Sequence, residues 1–260
     1  MNNSFASYLG TDDFLPGVLA LHASVRKYNQ TNDFVVLVSE SVSENCVDLL
    51  RQSRINTRIV KEIKNPHDLG ADERGFKYMY TKLRLFELTE FDKIVYIDAD
   101  MIACSNVEAL FDAPHMSAVV AGGLAQSNAG WKNLNAGLMV IEPNNELFNR
   151  MHAAITQSPS DDGSDQGFLH SFYPGWPADH ALHLDHAFNV PLAYLDEYCR
   201  SDRYSFEYKR RLLRTNISVI HYWGKYKPWQ TDYKSLDRKT AEKWEQALLL
   251  WWDTFNSGSH

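Results

Sequence analysis

The segment Lys93-Ile94-Val95-Tyr96-Ile97-Asp98-Ala99-Asp100 sets two carboxylates directly after an apolar run, one residue apart. In extended backbone, positions i and i+2 point to the same side. Acids held that close repel each other unless a cation lies between them or one keeps a proton. Hard oxygen ligands at a strand end suit Mg²⁺ or Mn²⁺, above all when substrate phosphates complete the octahedron. The bland alternative is a solvated acidic turn, against which the apolar residues 94–97 argue. A second segment, His221-Tyr222-Trp223-Gly224-Lys225-Tyr226-Lys227-Pro228-Trp229, is basic and aromatic in an acidic chain. It offers one neutral nitrogen ligand, a glycine that lets backbone approach a ligand, and lysines that act on phosphate as mobile point charges. Alone, a strand-end histidine is as readily structural. Joined to Asp98 and Asp100, His221 completes an O, O, N metal set.

The elements that must position these groups alternate in period. Short apolar runs at residues 5–9, 34–38, 58–60 and 94–97 predict strands, and residues 15–28, 42–53 and 80–88 carry helical patterns. Alternating strands and helices give βαβ units and a Rossmann-like, mostly parallel sheet flanked by helices, an α/β architecture. Ligands of such sheets lie beyond the carboxyl ends of the strands, where Asp98 falls. Further on, residues 135–142 read as a strand stopped by Pro143, 144–155 as a helix, 158–164 as a polar loop, 165–172 as a short helix and 218–222 as a strand. Residues 237–255 form a long amphipathic helix with Trp244, Leu248, Trp251 and Trp252. That helix packs on the rest or offers a dimer or acceptor surface.

Length and charge bound the rest. At 260 residues and about 100–200 residues per domain, one large domain is expected, since no repeat or linker is visible. It comprises a nucleotide-binding half (1–120), an acceptor and sugar half (121–235) and the terminal helix (236–255). A net charge of -7 excludes a general nucleic-acid or anionic-membrane binder, so any phosphate must meet a local site. Cys46, Cys104 and Cys199 are odd in number and far apart, which fits a reducing compartment. Residues 1–15 lack a basic start with an apolar block, and no apolar run reaches membrane-spanning length. The expectation is a soluble, cytoplasmic protein.

Phosphate hydrolases that form an aspartyl-phosphate also carry two aspartates after an apolar strand. They place the pair at their first strand, whereas here it lies deep in the chain and Met101-Ile102 follows. The ordered set Leu9-Gly10-Thr11-Asp12-Asp13, Tyr80-Thr81-Lys82-Leu83-Arg84, Asp98-Ala99-Asp100, Asn135-Ala136-Gly137, Asp162-Gly163-Ser164-Asp165-Gln166-Gly167 and the His221–Trp229 segment instead resembles glycosyltransferase family 8. Its glycogenin and galactinol synthase branch is the nearest, with the cytosolic glycogenin-like galactosyltransferases of protists alongside. The resemblance spans roughly residues 5–232. It implies a GT-A fold and retaining transfer of glucose or galactose from a UDP-sugar with Mn²⁺, Mg²⁺ being an alternative. Leu9, Thr11 and Asp12 then match positions around the uridine, Lys82 and Arg74 the donor contacts, and Ala99 the ribose. Asp98, Asp100 and His221 match the metal ligands, and Gly224 and Lys227 the diphosphate site. Asn135, Ala136, Asp162, Asp165 and Gln166 match the surroundings of the hexose.

Two mechanisms stay open on these residues. Asp165 is placed for a covalent intermediate of the kind retaining glycosidases form. Gln166 is placed to orient a front-face attack in which a UDP oxygen takes the acceptor's proton, and the balance favours the latter. The acceptor also departs from the glycogenin pattern. In Phe188-Asn189-Val190-Pro191-Leu192-Ala193-Tyr194-Leu195, Tyr194 is one position off the self-glucosylated tyrosine, Pro191 alters the backbone, and Tyr198 is a further candidate. A separate glycan or protein-linked acceptor is therefore expected, with self-priming and transfer to a small polyol as alternatives. A homodimer is compatible with the resemblance.

Overall fold

Along the first strand, alternate side chains enter two different cores. Phe5 and Leu9 face one and Ala6 and Tyr8 the other, as a strand covered on both faces requires. The computed structural model describes residues 1–66, 77–200, 202–224, 227–230 and 241–258. Its first part runs β1 (Asn3–Leu9), α1 (Leu15–Tyr28), β2 (Asp33–Ser39), α2 (Glu44–Gln52), β3 (Asn56–Val60), a 3₁₀ segment (Met79–Glu87) and β4 (Lys93–Ile97). Next come β5 (Met101–Ala103), β6 (Ala118–Val120), β7 (Leu134–Ile141), α3 (Asn145–Ala154) and α4 (Asp165–Phe172). The last part holds β8 (Val190–Pro191), α5 (Leu195–Arg200), the hairpin of β9 (Phe206–Lys209) and β10 (Leu212–Thr215), β11 (Val219–His221) and α6 (Ala241–Ser257).

The main sheet has the order β3-β2-β1-β4-β7-β6. Its first four strands are mutually parallel, and β7 and β6 join antiparallel. The chain winds outward from β1 to β3, then returns to β4 on the other side of β1. The carboxyl ends of β1 and β4 thus flank a topological switch point, where open α/β sheets bind ligands. Helices α1 and α2 cover one face, and the 3₁₀ segment, α3 and α4 cover the other. A small sheet, β5-β11-β8, forms a third core with α6. Side chains start the helices: Ser43 accepts from the Cys46 N–H (3.4 Å), Asn144 from Leu147 (2.9 Å) and Ser164 from Gln166 (3.1 Å).

Two expectations change. The helix expected at 80–88 is a 3₁₀ segment, because nearly all of it is enclosed, Thr81 and Lys82 included, and no solvent-facing stripe governs its winding. Asp98 to Asp100 is a turn, closed by the Met101 N–H on the Asp98 carbonyl (3.1 Å), so the two acids do not share a face by strand alternation. The strands β5, β6, β8, β9 and β10 are too short to show a period. In the terminal helix, Trp251 is buried and stacks on Phe255 at 5.3 Å while Trp252 stays partly buried, which is packing against the small-sheet core. Residues 237–240 lie outside the described residues. Among the described residues, no helix is long and apolar enough to cross a membrane.

Candidate active site

Asp98 leaves β4 at its border with β7, its N–H donating to the Gly137 carbonyl at 2.7 Å. Its Oδ1 accepts from the Tyr96 hydroxyl and lies 3.1 Å from Lys82 Nζ. Burial, reinforced by Asp98, pushes the Tyr96 phenol far above its usual range, so it keeps the proton it donates to Asp98. Asp100, buried, turns the other way: its Oδ1 is 3.2 Å from His221 Nε2 and its Oδ2 accepts from Lys227 Nζ. Burial acts to raise the Asp100 carboxyl, yet His221 and Lys227 overcome it and hold it well below the ordinary carboxylate range. The repulsion between neighbouring aspartates is thus met by one lysine each.

His221 ends β11, hydrogen-bonded to β5 and β8 on either side. Its Nδ1 meets Asn189 Oδ1 at 3.0 Å, and Asn189 Nδ2 donates to Asn135 Oδ1 at 2.8 Å. Asn135 Oδ1 also accepts the Gly137 N–H at 2.9 Å. A Cβ on Gly137 would stand 2.8 Å from His221 Cε1, so this glycine is what lets the ring lie over β7.

Lys82 bridges to a third carboxylate. Its Nζ is 3.2 Å from Asp165 Oδ2 at the start of α4. Burial works against the Lys82 charge, but Asp165 and Asp98 outweigh it and hold the ammonium above its ordinary pKa. Burial raises the Asp165 carboxyl, opposed by Lys82. Gln166, next on α4, accepts the Ala136 N–H through Oε1 at 3.0 Å and reaches Asp162 Oδ2 through Nε2 at 3.4 Å. Asp162 itself organises the helix start, accepting from the Ser164 N–H (2.8 Å), the Ser164 hydroxyl (2.7 Å) and the Gly167 N–H (3.1 Å).

The remaining sequence candidates lie around this centre in different ways. The Leu9 side chain is in the core, so only its backbone can face a ligand. Thr11 and Asp12 are exposed, and Asp12 caps α2 by accepting the Ser43 N–H at 2.8 Å. Ala99 is packed under α1, where Gly17 leaves no room for a Cβ: it would meet the Ala99 carbonyl at 2.4 Å and the Trp229 ring at 2.7 Å. Gly224 is exposed at φ +84, backbone that glycine adopts freely. Arg74, Lys225 and Tyr226 lie outside the described residues. Sequence reasoning missed Tyr96 and Asn189 as a partner of His221; the ring of Trp229, which ends the basic and aromatic segment, lies against Phe14 and Trp251.

Among the described residues, Asp98, Asp100 and His221 form the group with metal-ligand spacing, their ligand atoms all within 4.8 Å of one another. The donor set fits a hard or borderline divalent cation. His221 meets Asn189 with Nδ1 and turns Nε2 toward Asp100, the direction a ligating imidazole needs.

Sheet order, switch point and carboxylate cluster together define a GT-A glycosyltransferase. Solved structures share the fold: the galactosyltransferase LgtC in complex with donor and acceptor sugar analogs superposes with a TM-score of 0.64 at 17% identity, covering 99% of this chain and 96% of that one. The apo form of GlyE from Streptococcus pneumoniae TIGR4 does so with a TM-score of 0.62 at 16% identity, covering 98% and 63%. The chain belongs to glycosyltransferase family 8, whose family model matches residues 6–232. It is 37% identical to inositol phosphorylceramide glucuronosyltransferase 1 of Arabidopsis thaliana over 174 residues, 67% of this chain but only 30% of that protein. To glycogenin-1 of Mus musculus it is 27% identical over 271 residues, 98% of this chain and 76% of the relative.

Proposed function

We propose that this chain transfers a hexosyl unit from a UDP-sugar to a separate glycan or protein-linked acceptor, with retention at the anomeric carbon and a divalent cation, Mn²⁺ or Mg²⁺, as cofactor. The observation that carries this reading is the meeting of Asp98, Asp100 and His221 beside Lys82 and Asp165 at the switch point. Those three ligands would hold the cation, whose charge stabilises the negative charge developing on departing UDP. Lys227 passes from Asp100 to the diphosphate, with Gly224 giving its backbone room. The Leu9 backbone, Thr11, Asp12 and Ala99 would border the nucleoside, Lys82 the donor, and Asn135, Ala136 and Asp162 the hexose, while Arg74, outside the described residues, is assigned to the donor from the sequence resemblance alone.

Asp165 and Gln166 are the candidate catalytic residues. Asp165 is enclosed and charge-paired, which supports a front-face reaction over a glycosyl-enzyme: its carboxylate stabilises positive charge at the sugar carbon while a phosphate oxygen takes the acceptor's proton. Tyr198 is fully buried, its hydroxyl accepting from the Leu124 N–H at 3.3 Å, and Tyr194 packs near Trp223 at 6.4 Å. The burial of Tyr198 supports a separate acceptor, whereas Tyr194 is only partly buried. The similarity to glycogenin-1 favours self-glucosylation as the second reading, and intact mass after incubation with donor separates the two. The free thiols of Cys46, Cys104 and Cys199 fit a reducing, cytoplasmic setting for a single catalytic domain.

The test is UDP release with Mn²⁺ and a panel of UDP-glucose, UDP-galactose and UDP-glucuronate, the last because relatives bear the name glucuronosyltransferase. Turnover with one donor supports the proposal, and none with any donor across varied acceptors overturns it.

A further inference from the structure

The hydrogen-bond chain behind His221 can be read unambiguously from a backbone group. The Gly137 N–H can only donate, so the atom of Asn135 facing it is the carbonyl oxygen, Oδ1. Asn189 meets that same oxygen at 2.8 Å and must do so with its NH₂ group. Its other end, Oδ1, therefore faces His221 Nδ1 at 3.0 Å and can only accept. His221 Nδ1 then carries a hydrogen whether the ring is charged or neutral: the protonated ring donates from Nε2 to Asp100 Oδ1 at 3.2 Å, and the ring that has given up that proton to a cation keeps its lone pair on Nε2. Asn189 and His221 are both buried, so water offers no competing partner to turn the ring over. Asn189 is carried by the residue before β8, whose parallel pairing with β11 sets Val190 beside Ile220 and Pro191 beside His221.

We propose that Asn189 is a positioning residue that fixes His221 as the Nδ1–H tautomer and so presents Nε2 to the space between Asp98 and Asp100. The consequence for a divalent cation rests on the metal-dependent reading above. The consequence for the ring does not. Partners one step behind a metal ligand typically govern about 10–100-fold in affinity.

Two measurements on the purified chain test it. Nitrogen-15 NMR of His221 at alkaline pH, assigned with His221→Gln, reports the tautomer without any metal. Manganese titration followed by electron paramagnetic resonance reports affinity without turnover. In Asn189→Leu the Nδ1–H preference is lost and Mn²⁺ binds about 10–100-fold more weakly. Asn189→Asp keeps an acceptor for Nδ1 but loses the donor to Asn135, so it keeps the tautomer and binds Mn²⁺ more tightly than the leucine variant. If Asn189→Leu melts earlier yet retains the wild-type tautomer and affinity, Asn189 is merely structural and the proposal falls. If the wild type takes up no Mn²⁺ while the leucine variant still loses the tautomer, positioning stands and the metal reading fails instead.

Discussion

Replacing Lys82 by methionine removes the one cation that faces both Asp98 and Asp165 among the described residues. Lys82 Nζ lies 3.1 Å from one carboxylate and 3.2 Å from the other, and its side chain is 7% exposed. At an effective dielectric of about 20, each contact carries roughly 5 kcal/mol of gross Coulomb attraction, most of it offset by desolvation. Loss of one partner is not offset. Asp165 is 2% exposed at its side chain, and its Oδ1 has no hydrogen-bond partner among the described residues. Stranding it costs about 3–5 kcal/mol, a fall in Tm of roughly 6–20 °C for a chain of this size.

The pH dependence gives this prediction its edge. Burial already raises the Asp165 carboxyl and Lys82 is the leading influence that lowers it, so Lys82→Met raises it further. An acid whose folded pKa exceeds its unfolded value holds a proton that the unfolded chain has released. Stability therefore falls as pH rises from the unfolded value, about 3.9, through the folded one, and returns as pH is lowered. Urea unfolding of wild type and Lys82→Met near neutral pH and again near pH 4 should show a large gap that narrows in acid. Lys82→Met combined with Asp165→Asn should recover much of the neutral-pH loss. A gap under about 1 kcal/mol at neutral pH, or one that does not narrow, would mean that solvent screens the cluster and the reasoning is wrong.

Other perturbations probe the same geometry. Asp100→Ala should abolish transfer with the circular dichroism spectrum intact, and retained activity would remove Asp100 from the metal assignment. Lys227→Met should bind Mn²⁺ more tightly in the absence of nucleotide, because it frees Asp100 Oδ2, yet bind UDP about 10–100-fold more weakly, as calorimetry would show. Gly137→Ala sets a methyl 2.8 Å from His221 Cε1 and 2.9 Å from Asn135 Oδ1, so it should lose Mn²⁺ affinity at a cost of only about 1–3 kcal/mol in stability. Away from the site, burial holds the His115 imidazole below its ordinary pKa, with its Nδ1 accepting the Glu142 N–H. The unfolded ring takes up a proton the folded one refuses, so stability should decline as pH falls through about 6.5, and His115→Gln should flatten that limb.

What the sequence made legible follows from the range of the interactions. The run Ile94 to Ile97 is apolar at every position because both faces of β4 are covered, and that local fact located Asp98. The start of α4 at Asp165 was visible because its cap, Ser164, is its chain neighbour. Tyr96 was readable and was missed: Ile94, Tyr96 and Asp98 follow the period of two, so the phenol had to lie beside the carboxylate. Asn189 was not readable, since nothing local sets one asparagine apart, and its partners lie 54 and 32 positions away. The lysines show why whole-chain charge is a blunt guide here. A total of -7 argues against an extended anionic partner, but it averages over a centre where Lys82 and Lys227 are buried against Asp98, Asp165 and Asp100. Such a centre keeps its carboxylates charged and close only because each has a cation, and a ligand that draws a lysine away must supply positive charge in its place.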